Sequence, residues 1–252
     1  MELHRSKLYL NPIGIRHSMK TYLIGDVHSQ SAKLDEALST IVKYSDDNTL
    51  VIFLGDLFDS RSELSDSVEV YNLVRQFQFE FGAVVLNSNH QDKLRRYLRG
   101  NRVRVDLVPE LGRTIKEFEE SDVDRENLLH WLESCPYGYI FKDSEMREYR
   151  CAHAYFPTWV GGAVDERHGR EILGDDIPRK AKDLMLYGKV NYETRERVKW
   201  WESESGREWV RVAGHYHVVH FSESSIVLDG CCGNKDGKLP VYEIESGHLS
   251  YF

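Results

Sequence analysis

The chain predicts an α/β fold built on two β-sheets, and three observations carry that expectation. The first hundred residues read strand–helix three times over. That is the pattern of a largely parallel sheet with functional loops at the carboxyl ends of its strands. The second half reads as mostly antiparallel β, so one sheet is expected from each half. With 252 residues, 41% hydrophobic and 12% aromatic, the chain is long enough to bury a large core.

Composition narrows the partners. A net charge of −8 argues against long-range attraction to duplex nucleic acid. It leaves room for a small phosphorylated substrate held by a metal. The cysteines, Cys135, Cys151, Cys231 and Cys232, match neither a zinc framework nor a disulfide scaffold. They read as free thiols in a reducing, cytoplasmic setting. No apolar run approaches the roughly 18 residues of a membrane span. Residues 1–19 carry scattered charge and Asn11-Pro12 without a signal-peptide core. They read as a loose extension or an extra edge element ahead of a domain spanning 20–252, and Met19 is an alternative start.

The first strand is the apolar run Thr21-Tyr-Leu-Ile, which ends in Gly25-Asp26-Val-His28. Residues i and i+2 of an extended or tightly turned segment can point to one side, so Asp26 and His28 can reach one ion. A helix follows on Leu34, Leu38, Ile41 and Val42, with Ser29 or Ser31 as its cap. Thr49-Leu-Val-Ile-Phe-Leu is the second strand and ends in Gly55-Asp56-Leu-Phe-Asp59-Ser-Arg61. A helix with Val70, Val74 and Phe77 inward leads to a third strand, Ala83-Val-Val-Leu, ending in Asn87-Ser-Asn89-His90. The segment from Lys93 to Arg104 carries six basic residues. It reads as a solvated helix face with Leu94 and Leu98 buried, or as a substrate-facing rim. Residues 110–134 are expected to be helical, with Ile115, Phe118, Leu128, Leu129 and Leu132 in the core. Tyr137–Phe141 and Arg147–His153 form a hairpin, residues 156–178 a long loop, and Pro178–Leu186 a short helix. Strands follow within 208–221, 225–230, 239–244 and 248–252.

Polar residues collect at the strand ends: Asp26, His28, Asp56, Asn89, His90, His153, His215 and His217. Carboxylate, amide and imidazole donors suit divalent manganese, iron or zinc. They are too many for one tetrahedral site, and two ions sharing a carboxylate would use them. A pair of ions roughly 3.5–4 Å apart can activate water and clamp a phosphoryl group. The chain has no P-loop, no Gly-x-Gly-x-x-Gly and no serine-nucleophile elbow, so metal-activated water is the chemistry left.

Gly25-Asp26-Val-His28, Gly55-Asp56-Leu-Phe-Asp59, Asn89-His90, His153-Ala154 and Gly214-His215-Tyr-His217 resemble, in order, the motifs of the calcineurin-like metallophosphoesterases. Within that superfamily the chain is similar to the bacterial and phage serine/threonine phosphoprotein phosphatases and to the phosphatase module of bacterial polynucleotide kinase-phosphatases. The resemblance spans about residues 20–245. It implies a four-layer αββα sandwich of two mixed sheets, with helices on both outer faces. It implies two divalent ions, manganese first, with nickel, iron or zinc as alternatives. Asp26, His28, Asp56 and His217 would hold one ion, and Asp56, Asn89, His153 and His215 the other. His90 would assist the leaving group, with Asp59 as its supporting carboxylate, and Asp229 matches a functional aspartate of the kinase-phosphatase module.

The implied activity is hydrolysis of phosphate monoesters by metal-bound hydroxide, on a phosphorylated protein, a nucleotide or an RNA or DNA end. Asn89, His90 and Arg61 would face that substrate. Two departures bear on it. The phosphatase pattern Gly-Asp-x-x-Asp-Arg-Gly becomes Gly55-Asp-Leu-Phe-Asp59-Ser60-Arg61. Arg61, one place late, is either a shifted phosphate clamp or a surface arginine. Gly-His-Thr becomes Gly214-His215-Tyr216-His217, closer to the wider superfamily that contains diesterases. The alternative activity is therefore a phosphodiesterase acting on 2′,3′-cyclic phosphates or dinucleotides, and the third is a non-catalytic scaffold. Outside the motifs, His4, His17, His130, His168, His220 and His248 read as ordinary histidines. Cys231, Cys232, Trp200, Trp201 and Trp209 read as packing residues.

Overall fold

The computed structural model describes residues 20–62, 65–162, 169–204 and 208–252, with the side chain of Asp106 also outside the description. Its first strand, Thr21–Ile24 (β1), is buried along its whole length. Successive strand side chains point to opposite faces, and here both faces are covered. Tyr22 and Ile24 join a core shared with helices, while Leu23 joins a core between sheets. Leu50–Phe53 (β2) divides in the same way, with Val51 and Phe53 toward helices and Ile52 toward the other sheet. β2 runs parallel to β1, and Val84–Val85 (β3) parallel to β2.

Helices Ser31–Tyr44 (α1) and Ser67–Phe81 (α2) make the two crossovers, as the periodicity predicts. Asn89–Leu98 (α3), Pro109–Glu119 (α4) and Arg125–Ser134 (α5) extend the same helical layer. The expected run 110–134 is thus two helices. Asp124 ends the break by accepting a hydrogen bond from the Asn127 amide at 2.8 Å, a capping contact. Leu129 is only half-buried.

The second sheet holds Gly138–Lys142 (β4), Glu148–Ala152 (β5), Arg170–Ile172 (β6), Trp209–Ala213 (β7), Val219–Ser222 (β8) and Ser225–Leu228 (β9). Its order is β6-β4-β5-β7-β9-β8. Arg179–Tyr187 (α6) covers its outer face, packing Ala181, Met185 and Leu186 with Ile140 and Phe156. Trp200–Ser203 (α7) sets Trp200 against Tyr155, Ala213 and Val227. Helices, two mixed sheets and helices make the expected four layers.

One expectation about strand pairing is corrected. The sheets do not divide by chain half: Pro240–Glu243 (β10) and His248–Tyr251 (β11) join the first sheet, in the order β11-β10-β1-β2-β3. β10 pairs antiparallel with β1, which places Val241 in the helix-side core and Tyr242 beside the inter-sheet core. Without it β1 would be an open edge in an otherwise buried sheet, a poor place for unpaired backbone. The second sheet is antiparallel in three of its five pairings, β4–β5, β4–β6 and β8–β9, as expected, while β5–β7 and β7–β9 are parallel. A parallel return needs a crossover of a dozen residues or so, and the chain between β5 and β7 provides it. That stretch includes the predicted loop 156–178, which itself forms β6 and a 3-10 turn at Gly174–Asp176.

The expected N-terminal extension 1–19, with His4 and His17, and residues 163–168 of the predicted loop, with His168, lie outside the described residues. Among the described residues no helix is long and apolar enough to cross a membrane.

Candidate active site

The strand ends are sewn together by backbone hydrogen bonds. Val27 and His28 donate their amides to the Asp56 carbonyl at 3.0 and 2.8 Å, and Ser29 donates to the Leu57 carbonyl at 2.8 Å. In the second sheet, Gly214 donates to the His153 carbonyl at 2.9 Å. The His215 amide then crosses between sheets to Asp26 Oδ2 at 3.0 Å. The approach requires glycine, since a Cβ on Gly214 would lie 2.0 Å from Asp26 Oδ1.

These loops hold side chains in an unusual backbone state. His28, Asp56, Asp59, His215 and His217 have φ of 49°, 44°, 67°, 71° and 55°. Asp and His tolerate this left-handed region better than most non-glycine residues, at a cost of roughly 1–2 kcal/mol each. Clustered strain of this kind marks functional sites.

Two groups of donors converge, and they share Asp56. Asp26, His28 and Asp56 form one; Asp56, His153 and His215 form the other; each offers ligand atoms within 4.8 Å of one another. His153 Nε2 lies 3.3 Å from Asp56 Oδ2, 2.9 Å from Asn89 Oδ1 and 3.1 Å from His215 Nδ1. His153 Nδ1 donates to the Leu54 carbonyl at 2.9 Å. A carbonyl only accepts, so in the neutral ring the lone pair sits on Nε2, facing the cluster. His28 repeats the device. Its Nδ1 lies 3.1 Å from the carbonyls of Phe58 and Asp59, and its Nε2 lies 3.8 Å from Asp56 Oδ2.

Electrostatics agrees with a cation site. Burial pushes the Asp26 carboxyl well above its ordinary range, and the charges of Asp229 and Asp56 add to the shift. Burial works the same way on Asp56, but His153, His90 and His28 outweigh it and hold that carboxyl well below its ordinary range. Burial lowers His28, and His215 further, where His153 and Arg197 add to the effect. The His28 and His215 imidazoles and the Asp56 carboxylate are thereby favoured in their ligand forms, whereas Asp26 is disfavoured as an anion and would need a cation beside it to ionise. Asp26 Oδ1 and His215 Nε2 are buried without a hydrogen-bond partner among the described residues. Unsatisfied buried oxygen and nitrogen donors beside a shared carboxylate fit two divalent ions.

His90 enters from another direction. Ser88 caps α3, so Asn89 and His90 occupy its first turn. The His90 amide lies 3.4 Å from Asp56 Oδ1, where the positive end of the helix favours an anion. His90 Nδ1 donates to Asp59 Oδ2 at 2.6 Å, and Nε2 lies 3.9 Å from Asp56 Oδ2. Burial opposes the charged ring, yet Asp56 and Asp59 together raise its pKa.

The remaining candidates sit farther from the convergence. His217 lines the same cleft but is exposed and outside both tight groups. Asp229 is buried; its Oδ2 accepts from the His217 amide at 2.6 Å and its Oδ1 from the Cys231 amide at 2.9 Å. It therefore anchors two turns of the site. The Arg61 side chain is 68% exposed and pairs with Glu110 at 3.5 Å, on the wall of the cleft.

That cleft has a volume of about 400 Å³ and brings in residues the sequence did not single out. Arg197 lines it, and its Nη1 donates to the His215 carbonyl at 3.1 Å. Its position comes from the Val190–Arg197 bridge, which turns a charge-rich stretch back toward the site. Lys93, from the basic segment, also lines it, whereas Arg96 and Arg99 are exposed. Leu107, Val108 and Pro109 complete one wall.

Comparison with known proteins points the same way. The family model described as calcineurin-like phosphoesterase matches residues 19–232. The bis(5′-nucleosyl)-tetraphosphatase (asymmetrical) of Bacillus subtilis strain 168 is 31% identical over 212 residues, 78% of each chain. The protein of the same description from Bacillus velezensis is 33% identical over 214 residues, 78% of this chain and 77% of that one. A serine/threonine protein phosphatase from Saccharomyces cerevisiae shares the fold, with a TM-score of 0.56 at 13% identity over 94% of this chain and 80% of that one.

Proposed function

The chain belongs to the calcineurin-like phosphoesterase family, and we propose that it is a two-metal hydrolase that splits the phosphate chain of a dinucleoside polyphosphate. The observation that carries this is Asp56, shared between two donor groups and faced by a carboxylate-bound His90. Asp26, His28 and Asp56, with His217 at the rim, would hold one ion; Asp56, Asn89, His153 and His215 would hold the other. Two divalent ions there, manganese first among manganese, nickel, iron and zinc, would supply an activated water and neutralise charge on the phosphoryl oxygens.

The chain's own residues do the rest. Water adds to one phosphorus, the P–O–P bond opposite breaks, and the bridging oxygen leaves with the other nucleotide. His90, its Nδ1 fixed by Asp59, presents Nε2 to that leaving oxygen and gives it a proton or hydrogen bond. Arg197 and Lys93 meet phosphate oxygens, and Asp229 keeps the His217 and Cys231 turns in place. With free thiols and no paired cysteine, the protein suits the reducing cytoplasm.

The relatives named for bis(5′-nucleosyl) tetraphosphates favour this over the monoester activity that the motifs first imply. Arg61 supports the choice. Salt-bridged to Glu110 and largely solvated, it is a poor clamp for a monoester dianion. The test is product analysis on the manganese-loaded chain, with a bis(5′-nucleosyl) tetraphosphate against p-nitrophenyl phosphate, a phosphopeptide and a 5′-phosphorylated oligonucleotide. Cleavage to two nucleotides, at the highest kcat/KM of the four, is expected. Faster turnover of any monoester would return the assignment to a phosphatase of that substrate.

A further inference from the structure

We propose that Leu107, Val108 and Pro109 form a preorganised apolar ledge that receives a nucleobase of the substrate. The proposal rests on the nucleotide reading above and names the part of the cleft that tells a nucleotide from a bare phosphate ester.

Three observations carry it. The first is the mismatch between wall and cleft. The centre of the cleft is carboxylate, amide and imidazole, and its cations are Arg61, Lys93 and Arg197. Phosphates and ribose need only such groups, so three consecutive apolar residues on one wall serve neither. The second is the exposure of Leu107. Val105 and Val108, on either side, pack against the helix-side core, but Leu107 does not, and it stands 66% exposed. An isolated exposed leucine needs no explanation, but this one faces the lumen of a polar cleft.

The third is stiffness. Val105–Leu107 is a 3-10 turn, with the Leu107 amide bound to the Arg104 carbonyl at 3.1 Å and the Val108 amide to the Val105 carbonyl at 3.1 Å. Pro109 then opens α4 with a fixed φ. The turn sits close on that helix: a Cβ on Gly112 would come within 3.1 Å of Val105 Cγ1. A ledge held in this way loses little entropy when a flat ring is laid on it. A base has an apolar face and a polar edge, and the polyphosphate to which it is joined is drawn by the cations of the same cleft.

The experiment is equilibrium binding by calorimetry on the manganese-loaded full chain, which needs no turnover. The probes are adenosine 5′-monophosphate and ribose 5-phosphate, which differ only in the base. The expected result is tighter binding of the nucleotide, by about tenfold, the scale of a small apolar contact. In Leu107→Asp that ratio collapses toward one, and in Leu107→Ala it shrinks partway. Phe79→Asp, at a residue 91% exposed and absent from the cleft lining, keeps the parent ratio. Equal affinities for both probes in the parent, or a ratio unmoved by Leu107→Asp, would overturn the ledge. Failure to cleave the dinucleotide is a separate outcome and overturns the proposed function instead.

Discussion

Asp59→Asn isolates the charge behind His90 from its geometry. Asp59 Oδ2 lies 2.6 Å from His90 Nδ1, and its side chain is 1% exposed. Asp59 Oδ1 is buried without a hydrogen-bond partner among the described residues, so an asparagine can turn its oxygen to His90 without breaking another side-chain hydrogen bond there. Its φ of 67° is a conformation asparagine adopts readily. The fold and the His90 rotamer are therefore retained, and the carboxylate charge is lost. A hydrogen bond to a charged group contributes roughly 1.5–3 kcal/mol, so the protonation equilibrium of His90 moves by about ten- to hundredfold toward neutral.

His90 acts with its proton on, so activity is present below its pKa and lost as pH rises through it. Asp59 helps to raise that pKa, so in Asp59→Asn the loss begins at lower pH. The assay is kcat against pH on an alkyl phosphate monoester, whose alkoxide leaving group needs a proton, and on the dinucleotide. At neutral pH kcat falls about ten- to hundredfold on the ester, reaching at most the low end of the roughly 10²–10⁴ that general acid catalysis contributes. It falls less on the dinucleotide, whose phosphate leaving group is already a weak base. An unchanged kcat and an unmoved alkaline limb would refute the role given to the His90–Asp59 pair.

Gly214→Ala should abolish occupancy of the ion held by Asp26, because the new Cβ would stand 2.0 Å from Asp26 Oδ1; elemental analysis of the purified variant checks this. Arg197→Ala should raise the Kd for inorganic phosphate about tenfold or more, since a charged hydrogen-bond donor is removed. Arg61→Ala should change it less, because Arg61 is 68% exposed and paired with Glu110; calorimetry on both variants compares them. Glu204 is held at a pKa of about 2, burial being outweighed by Lys189 and Arg211. Its stabilising effect is therefore full above the unfolded pKa of roughly 4.3 and fades as pH falls toward about 2. Glu204→Gln leaves the buried Arg211 guanidinium without that carboxylate. It should cost about 2 kcal/mol at pH 7, less than a fully dry pair because the Glu204 side chain is 15% exposed. The Tm gap between parent and variant should narrow between pH 5 and 3.

The strand cores and their terminal ligands could be read from the sequence because both are local. Apolar β-branched runs that stop at Gly25-Asp26 and Gly55-Asp56 mark a buried strand and the end of it. Partner choice is not local: alternation says which face of β10 is buried, but not that β1 lies beside it. The parallel β5–β7 and β7–β9 pairings were hidden for the same reason, since strand polarity depends on the path between strands. Arg197 escaped notice because Glu193–Lys199 has the composition of a solvated loop, and only the Val190–Arg197 bridge aims it inward. Leu107 is invisible to periodicity because a 3-10 turn of three residues is too short to show one.

The most direct test of the shared carboxylate is anomalous scattering from crystals of the manganese-loaded chain. Two peaks roughly 3.5–4 Å apart, with Asp56 between them, are the predicted result. A single peak beside His153 and His215, or none touching Asp56, would contradict a two-ion centre.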